Sequence, residues 1–357
     1  MSRWRSSAAL AASGVALVTF ASAAASGARP AQTVERLVGQ SIVTGVNGRV
    51  PSPDLLARIR AGQVGGVVLF ARNVGTTPEL SRLVAELQAA ATEGGNPPLL
   101  VAVDQEGGSV RRLPAGPPDR SPAAMGREDS AAVAESQGRA TAVYLKQRGI
   151  DVDLAPVLDT PVSGSSFLGS RAFGHDRHVN ARLGAAFVRG LQSAGAAATA
   201  KHFPGLGTAS VSTDRREVVL HTRKGILDGR LLPFKRAISA GVKLVMASNA
   251  GYTAYDPTGL PAVLSRPIVT GLLRERLGFE GVVISDAMEA PGPGSRHGAA
   301  VAARAAGVDL LLYTNERTSA AAYDELLAAA REGTLASGPL RSSAARVAAL
   351  KRWLARG

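Results

Sequence analysis

Acidic and basic residues stand at or just after the ends of short apolar segments at several places in this sequence. Asp104, Lys201, His202 and Asp286 all occupy such positions. A carboxylate held in this way can act as a nucleophile or as a general acid or base, and Lys and His supply hydrogen-bond donors beside it. These residues become one candidate site only if the apolar segments are strands that end on the same side of a sheet.

The apolar segments alternate with Ala-, Leu- and Arg-rich segments of helical period. This alternation predicts repeated βα units around a parallel sheet. Eight units favour a single-domain α/β protein, a TIM-type (β/α)8 barrel over residues 30–357. A doubly wound open sheet is the competing architecture, although no Gly-x-Gly-x-x-Gly turn follows the first segment. The predicted strands are Ser41–Val46, Gly66–Phe70, Leu99–Val103, Ile150–Leu154, Ala196–Ala200, Lys243–Ala247, Gly281–Ile284 and Val308–Leu312. The predicted helices are Pro78–Ala91, Ser130–Lys146, Asn180–Ser193, Pro233–Ala240, Ser265–Leu277, His297–Ala306, Ser319–Glu332 and Leu340–Leu354.

In such a barrel the loops after the strands build the active site, so the candidate residues and Arg171 are expected to converge there. Each also has a structural interpretation. Asp286 is a plausible helix N-cap, and a lone acid such as Glu106 is usually solvated. A lysine at a buried strand end needs an acidic partner, for which Asp104 and Asp286 are the candidates.

Composition limits the classes of function. With 41 Lys and Arg against 28 Asp and Glu, the net charge of +13 suits contact with an acidic polymer. The basic residues are scattered and only 4% of residues are aromatic, so nucleic acid is not an expected partner. The absence of Cys excludes thiol nucleophiles and Cys-ligated zinc, and the five His lack metal-binding helix spacings. We expect neither a metal nor a cofactor.

The first residues have the order of an export signal. Arg3 and Arg5 precede the apolar run Ala8–Phe20, and the small residues Ala21–Ala25 follow. Residues 1–25 are therefore predicted to be a signal peptide, which makes the protein secreted or cell-wall associated without stable membrane insertion after cleavage. An uncleaved anchor is the alternative, although the run is shorter than the ~20 residues that span a bilayer.

Four motifs resemble the N-terminal barrel of glycoside hydrolase family 3, especially its β-N-acetylhexosaminidase branch. They are VAVDQEGGSVRRL at Val101–Leu113, LAPVLD at Leu154–Asp159, KHFPG at Lys201–Gly205 and VVISDAMEA at Val282–Ala290. They occur in the family's order, which is stronger evidence than any one motif. The chain ends soon after the eighth unit, which favours the single-domain branch.

The resemblance implies a retaining glycosidase that cleaves terminal β-linked N-acetylglucosamine or a related β-glycoside, such as a cell-wall glycan fragment. Asp286 matches the family nucleophile, which attacks the anomeric carbon to form a covalent glycosyl-enzyme. Near Lys201 and the arginines, Asp286 is expected to stay ionised. The positions that match the family's sugar-binding residues are Asp104, Arg112, Arg171, Lys201 and His202.

The loop after KHFPG departs from the branch pattern. The family supplies an Asp-x-His pair there, in which the His is the general acid/base, whereas an ungapped alignment puts Ser212 and Asp214 at those positions. Asp214 itself, or another group such as His221 or Glu289, is then the acid/base. The alternative is a weakly active or non-catalytic glycan-binding homologue. A basic adaptor that uses surface charge alone is the least favoured hypothesis, and whether the acceptor is water or phosphate stays open.

Overall fold

The computed structural model describes Met1, residues 33–162 and residues 167–356. Apart from Met1, the predicted signal segment lies outside the described residues. Eight strands form one parallel sheet in which β1 to β7 are neighbours in chain order and β8 lies beside β1. A parallel bridge between Ile284 of β7 and Leu310, next to β8, closes the barrel. The strands are β1 Ile42–Gly45, β2 Gly66–Leu69, β3 Leu100–Val103, β4 Val152–Asp153, β5 Ala197–Phe203, β6 Leu244–Ala247, β7 Val282–Ser285 and β8 Leu311–Tyr313. The prediction of a (β/α)8 barrel is confirmed.

Helices surround the barrel. They are α1 Val34–Gly39, α2 Pro53–Arg60, α3 Thr77–Glu93, α4 Pro122–Glu128, α5 Ala131–Lys146, α6 Arg177–Ser193, α7 Lys224–Arg230, α8 Leu232–Ser239, a π-helical segment Pro267–Arg276, α9 Pro291–Gly294, α10 Ala299–Ala306, α11 Glu316–Arg331 and α12 Ser337–Leu354. The eight predicted helices are present with shifted ends. The prediction missed five short helices: α1, α2, α4, α7 and α9. No described helix is both long and apolar enough to cross a membrane.

The missed helices are short, and their signals are local. In α2 the side chain of Ser52 caps the first turn by accepting a hydrogen bond from the Leu55 N–H, and Leu55 and Ile59 bury one face. The region from Asn96 to Asp129 contains α4 and an antiparallel hairpin formed by Gln105–Gly107 and Val110–Arg111.

Alternate residues of the strands fill the barrel interior with apolar side chains. Val43, Val68, Leu100, Met246 and Ile284 belong to this buried cluster. The cluster also contains three residues of the last helix, α12: Val347, Leu350 and Leu354. The interior is thus a packed apolar core.

Polar contacts hold α12 against the starts of the strands. Lys351 donates to Oε1 of Gln40, just before β1, at 2.8 Å. Arg346 donates to the fully buried Asp309, just before β8, at 2.8 Å, and Arg274 donates to the same carboxylate at 2.6 Å. This end of the barrel is closed by structural contacts, and the opposite end carries the polar loops.

Candidate active site

A cavity of about 350 Å³ opens at the carboxyl ends of the strands. All seven residues predicted for the site line it. Its charged or titratable lining residues are Asp104, Glu106, Arg112, Arg171, Lys201, His202, Asp214 and Asp286. Its apolar lining includes Phe70, Leu154, Phe167, Leu206 and Met246. A concave site with apolar walls and converging polar groups is typical of a small-molecule site.

An ion-pair network forms one wall of the cavity. The Nζ of Lys201 lies 2.7 Å from Oδ1 of Asp104 and 2.7 Å from Oε1 of Glu106. Arg171 donates to both oxygens of Glu106, at 2.8 and 2.9 Å, and Arg112 lies 3.6 Å from Asp104. The side chains of Lys201 and Glu106 are 2% and 0% exposed, so these charges are held in fixed positions away from bulk water.

The network sets the charge state of its members. Burial alone would raise the pKa of both Asp104 and Glu106. The positive charges of Lys201 and Arg112 outweigh burial at Asp104, and those of Lys201 and Arg171 outweigh it at Glu106, so both pKa values are lowered. Burial opposes the charged form of Lys201, yet the two carboxylates raise its pKa. The wall therefore presents fixed acceptors and donors suited to the hydroxyl groups of a sugar.

His202 is oriented by a second buried acid. Its Nδ1 lies 2.7 Å from Oδ2 of Asp159, while the backbone N–H groups of His202 and Leu206 donate to Oδ1 at 3.3 and 2.6 Å. Because a carboxylate only accepts, Nδ1 carries the proton and Nε2 is left for the cavity. The strand register shifts between Ala200 and Phe203, and both Lys201 and His202 line the cavity.

Asp286 follows the last residue of β7 directly. Its backbone N–H donates to the Ala247 carbonyl at 3.1 Å, and its Oδ1 accepts from the Ala287 N–H at 2.8 Å. Burial raises the pKa of Asp286, and the charge of Asp214 raises it further, against the opposing effects of His202, the Ala287 N–H and Lys201. That Asp286 is ionised in the reacting enzyme stays a prediction.

The loop between β5 and α7 brings Asp214 to the cavity. Asp214 is exposed, and the Ser212 hydroxyl donates to its Oδ2 at 3.1 Å while the Asp214 N–H donates back to Ser212 Oγ at 3.2 Å. Gly207 fixes the start of the loop, since an added Cβ would lie 1.8 Å from the carbonyl oxygen of Thr160. The Val162 N–H donates to the Gly207 carbonyl at 3.0 Å, which joins this loop to the one after β4.

Comparisons with known proteins identify the family to which this barrel belongs. Residues 33–350 match the model of the glycosyl hydrolase family 3 N terminal domain. The chain belongs to glycosyl hydrolase family 3, a family of glycosidases. The resemblance predicted from the four motifs is therefore confirmed.

Two relatives illustrate the similarity in sequence. An uncharacterized secreted glycosyl hydrolase of Arthroderma benhamiae is 35% identical over 350 residues, covering 94% of this chain and 98% of its own. A beta-hexosaminidase of Nitrosomonas eutropha is 39% identical, covering 74% of this chain and 76% of its own.

Two solved structures show the same barrel. The family 3 beta-N-acetylglucosaminidase of Paenibacillus sp. str. FPU-7 aligns with a TM-score of 0.87 and 36% identity over 90% of this chain, which spans 63% of that protein's length. The beta-N-acetylhexosaminidase of Beutenbergia cavernae aligns with a TM-score of 0.81 and 31% identity, covering 90% of this chain and 98% of its own.

Two residues of this family 3 site were not singled out as site residues from the sequence. Glu106 is fully buried between Lys201 and Arg171, so its interpretation as a solvated acid was wrong. Asp159, which orients His202, closes the LAPVLD motif. The sequence signal that could have identified Asp159 is its position, as an acid directly after the apolar run Ala155–Leu158.

The structure separates the candidates for an acid/base in this family 3 protein. His221 is exposed, lies 3.3 Å from the Thr253 hydroxyl and does not line the cavity. Oε1 of Glu289 accepts hydrogen bonds from the Thr314 N–H at 2.8 Å and from the Thr318 hydroxyl at 2.6 Å, as expected for a residue that orders its loop. Asp214 is the member of this set that lines the cavity with Asp286.

No group of three or more His, Cys, Asp or Glu side chains suited to a metal ion occurs in residues 33–162 and 167–356. The carboxylates of the cavity are paired with Lys and Arg, which already supply their counter-charges.

Proposed function

We propose that this protein is an exported, retaining β-N-acetylglucosaminidase that acts on terminal β-linked N-acetylglucosamine or related β-glycosides of cell-wall glycan. The observation that carries the proposal is that Asp286 and Asp214 line one cavity, with the charge of Asp214 acting on Asp286. A retaining glycosidase needs such a pair of groups.

In the proposed reaction an Asp286 oxygen attacks the anomeric carbon while the bond from that carbon to the departing oxygen breaks. Protonated Asp214 gives its proton to the departing oxygen. Asp214, now ionised, takes a proton from water, and the water oxygen displaces Asp286 to release the sugar. Attack by water completes a hydrolysis, and the two displacements at one carbon return the original β-configuration.

The ion-pair wall would bind the sugar. Asp104 offers an acceptor, and Arg112, Arg171, Lys201 and the Nε2 side of His202 offer charged or neutral hydrogen-bonding groups to hydroxyls. Since the wall is held by buried pairs, it is preorganised, and binding energy is available to distort the sugar toward the transition state.

Hydrolysis of 4-nitrophenyl N-acetyl-β-glucosaminide tests the proposal. Replacing the nucleophile in Asp286→Asn should lower kcat by more than about 10³-fold. Asp324→Asn, the same change at an exposed position of α11, should keep the wild-type rate. Proton NMR of the first product should show the β-anomer.

Equal rates for wild type and Asp286→Asn would refute the hydrolase proposal. If wild type does not turn over any β-glycoside yet binds glycan fragments in calorimetry, with affinity lost in Asp104→Ala, the glycan-binding alternative holds.

Export is the second part of the proposal, supported by the charged, apolar and small-residue order of residues 1–25 and by the word secreted in the name of the Arthroderma benhamiae relative. N-terminal sequencing of protein from the culture medium or cell wall should find the mature chain beginning after Ala23 or Ala25. Intact Met1 on protein from that fraction would contradict cleavage.

A further inference from the structure

A second cleft of about 550 Å³ lies beside the loop that follows β4. Its main lining residues are His175, Asp176, Arg177, His178, Ile226 and Arg230, from the start of α6 and from α7. We call it the arginine cleft. It shares no lining residue with the catalytic cavity.

The two guanidinium groups of the cleft have no acidic partner within residues 33–162 and 167–356. Arg230 donates from Nη1 to the Thr160 carbonyl, and its buried Nε has no partner. Arg177 packs over Gly229 and donates to His178 Nε2 at 3.4 Å. Among the described residues neither guanidinium forms an ion pair, in contrast to the arginines of the catalytic cavity.

The two arginines lie close enough to repel each other. Burial lowers the pKa of Arg230, and the charge of Arg177 lowers it further. Asp176, the acid in this lining, caps α6 by accepting from the His178 N–H at 2.7 Å. Two adjacent guanidiniums without a carboxylate partner, with forked N–H donors, match the geometry of an oxyanion.

One stretch of chain separates the arginine cleft from the catalytic cavity. The side chain of Asp159 contacts His202, which lines the catalytic cavity. The carbonyl of the next residue, Thr160, accepts a hydrogen bond from Arg230, which lines the arginine cleft. Ile226, 42% exposed, adds an apolar surface beside the arginines, which suits the carbon skeleton of an organic acid.

We propose that the arginine cleft binds an oxyanion, a carboxylate or phosphate, carried by an acidic substituent of the glycan whose terminal sugar enters the catalytic cavity. This rests on the proposed glycosidase function. The same chemistry also fits a free inorganic anion, so the experiment has an arm for each source.

The first arm compares two disaccharides in which N-acetylglucosamine is β-linked to N-acetylglucosamine or to N-acetylmuramic acid, whose ether side chain ends in a carboxylate. Wild type should prefer the acidic disaccharide in kcat/KM. Arg177→Ala and Arg230→Lys should each reduce the acidic-to-neutral ratio about 10-fold. Arg236→Ala, which removes an exposed arginine on α8 outside the cleft, should keep the wild-type ratio.

The second arm titrates inorganic phosphate into wild type, Arg177→Ala and Arg236→Ala by calorimetry, and it does not depend on turnover. Phosphate binding that is lost only in Arg177→Ala, without an acidic preference in the first arm, would support an oxyanion site for a free anion and refute the substrate-borne source. An unchanged ratio together with absent or Arg177-independent phosphate binding would overturn the site. Failure of wild type to cleave either disaccharide or the chromogenic substrate would refute the glycosidase function, and the titration would still decide the cleft.

Discussion

The Nζ of Lys201 lies 2.7 Å from Oε1 of Glu106, and water is almost fully excluded from both side chains. The same carboxylate also accepts two hydrogen bonds from Arg171, so one acid balances two cations in the cavity wall. Removing Glu106 would leave Lys201 and Arg171 without the buried carboxylate that they share.

Glu106→Gln should therefore lower the free energy of unfolding by about 3–5 kcal/mol, the usual cost of breaking a buried ion pair. Urea denaturation measures the change. Glu93→Gln removes the acid of an exposed pair with Arg60 and should change stability by at most about 1 kcal/mol. Similar losses in the two variants would contradict a special role for the buried pair.

Asp214→Asn should lower kcat/KM by about 10²–10⁴-fold on a disaccharide, because the departing oxygen loses its proton donor. The loss of kcat/KM should be much smaller with the 4-nitrophenyl substrate, because kcat/KM reports the first step and 4-nitrophenolate leaves without protonation. His221→Ala and Glu289→Gln, tested on the same two substrates, should not show this dependence on the leaving group. If either does, the acid/base lies there and not at Asp214.

The acidic limb of the pH profile of kcat/KM should reflect Asp286, which must be ionised to attack. Burial raises its pKa, so activity should fall with decreasing pH at a higher pH than the ordinary aspartate pKa of about 3.9 would give. In the proposed reaction Asp214 holds its proton in the enzyme form that reacts, so Asp214→Asn, measured with the 4-nitrophenyl substrate, should leave this limb in place. Loss or a large displacement of the limb in Asp214→Asn would contradict its assignment to Asp286.

Gly207→Ala should lower kcat/KM about 10-fold or more, because a Cβ there meets the Thr160 carbonyl and displaces the loop that carries Asp214. Gly271→Ala is the matched control, since its added Cβ would meet nothing within 4 Å beyond its own chain neighbours and helix backbone. Steady-state kinetics on both variants, with thermal melts to confirm folding, measures the effect. Wild-type kinetics for Gly207→Ala would show that the loop is not fixed at this point.

The strands and long helices were predictable because their signals are strong and local. Segments such as Leu99–Val103 and Gly281–Ile284 are almost wholly apolar, as strands buried on both faces must be, and the residue types that follow them marked the cavity. Short helices such as α2 bury only two side chains, so their periodicity is too brief to stand out.

The pairing within the site was not predictable in the same way. Lys201 was expected to pair with Asp104 or Asp286, whereas it pairs with Asp104 and Glu106. The hairpin after β3 decides this choice, because it turns Glu106 inward, and no spacing in the sequence reports that turn. The pKa of Asp286 is raised mainly by burial, and the sequence does not report how deeply that side chain is buried.

The last helix and the Asp309 cluster secure the barrel at the end farthest from the cavity. The polar contacts at that end involve none of the residues that line the cavity. Loops on the cavity end, including the one that carries Ser212 and Asp214, are free to diverge in evolution while the scaffold survives. A lineage can thus acquire a new proton donor or a new ligand preference without having to reinvent its fold.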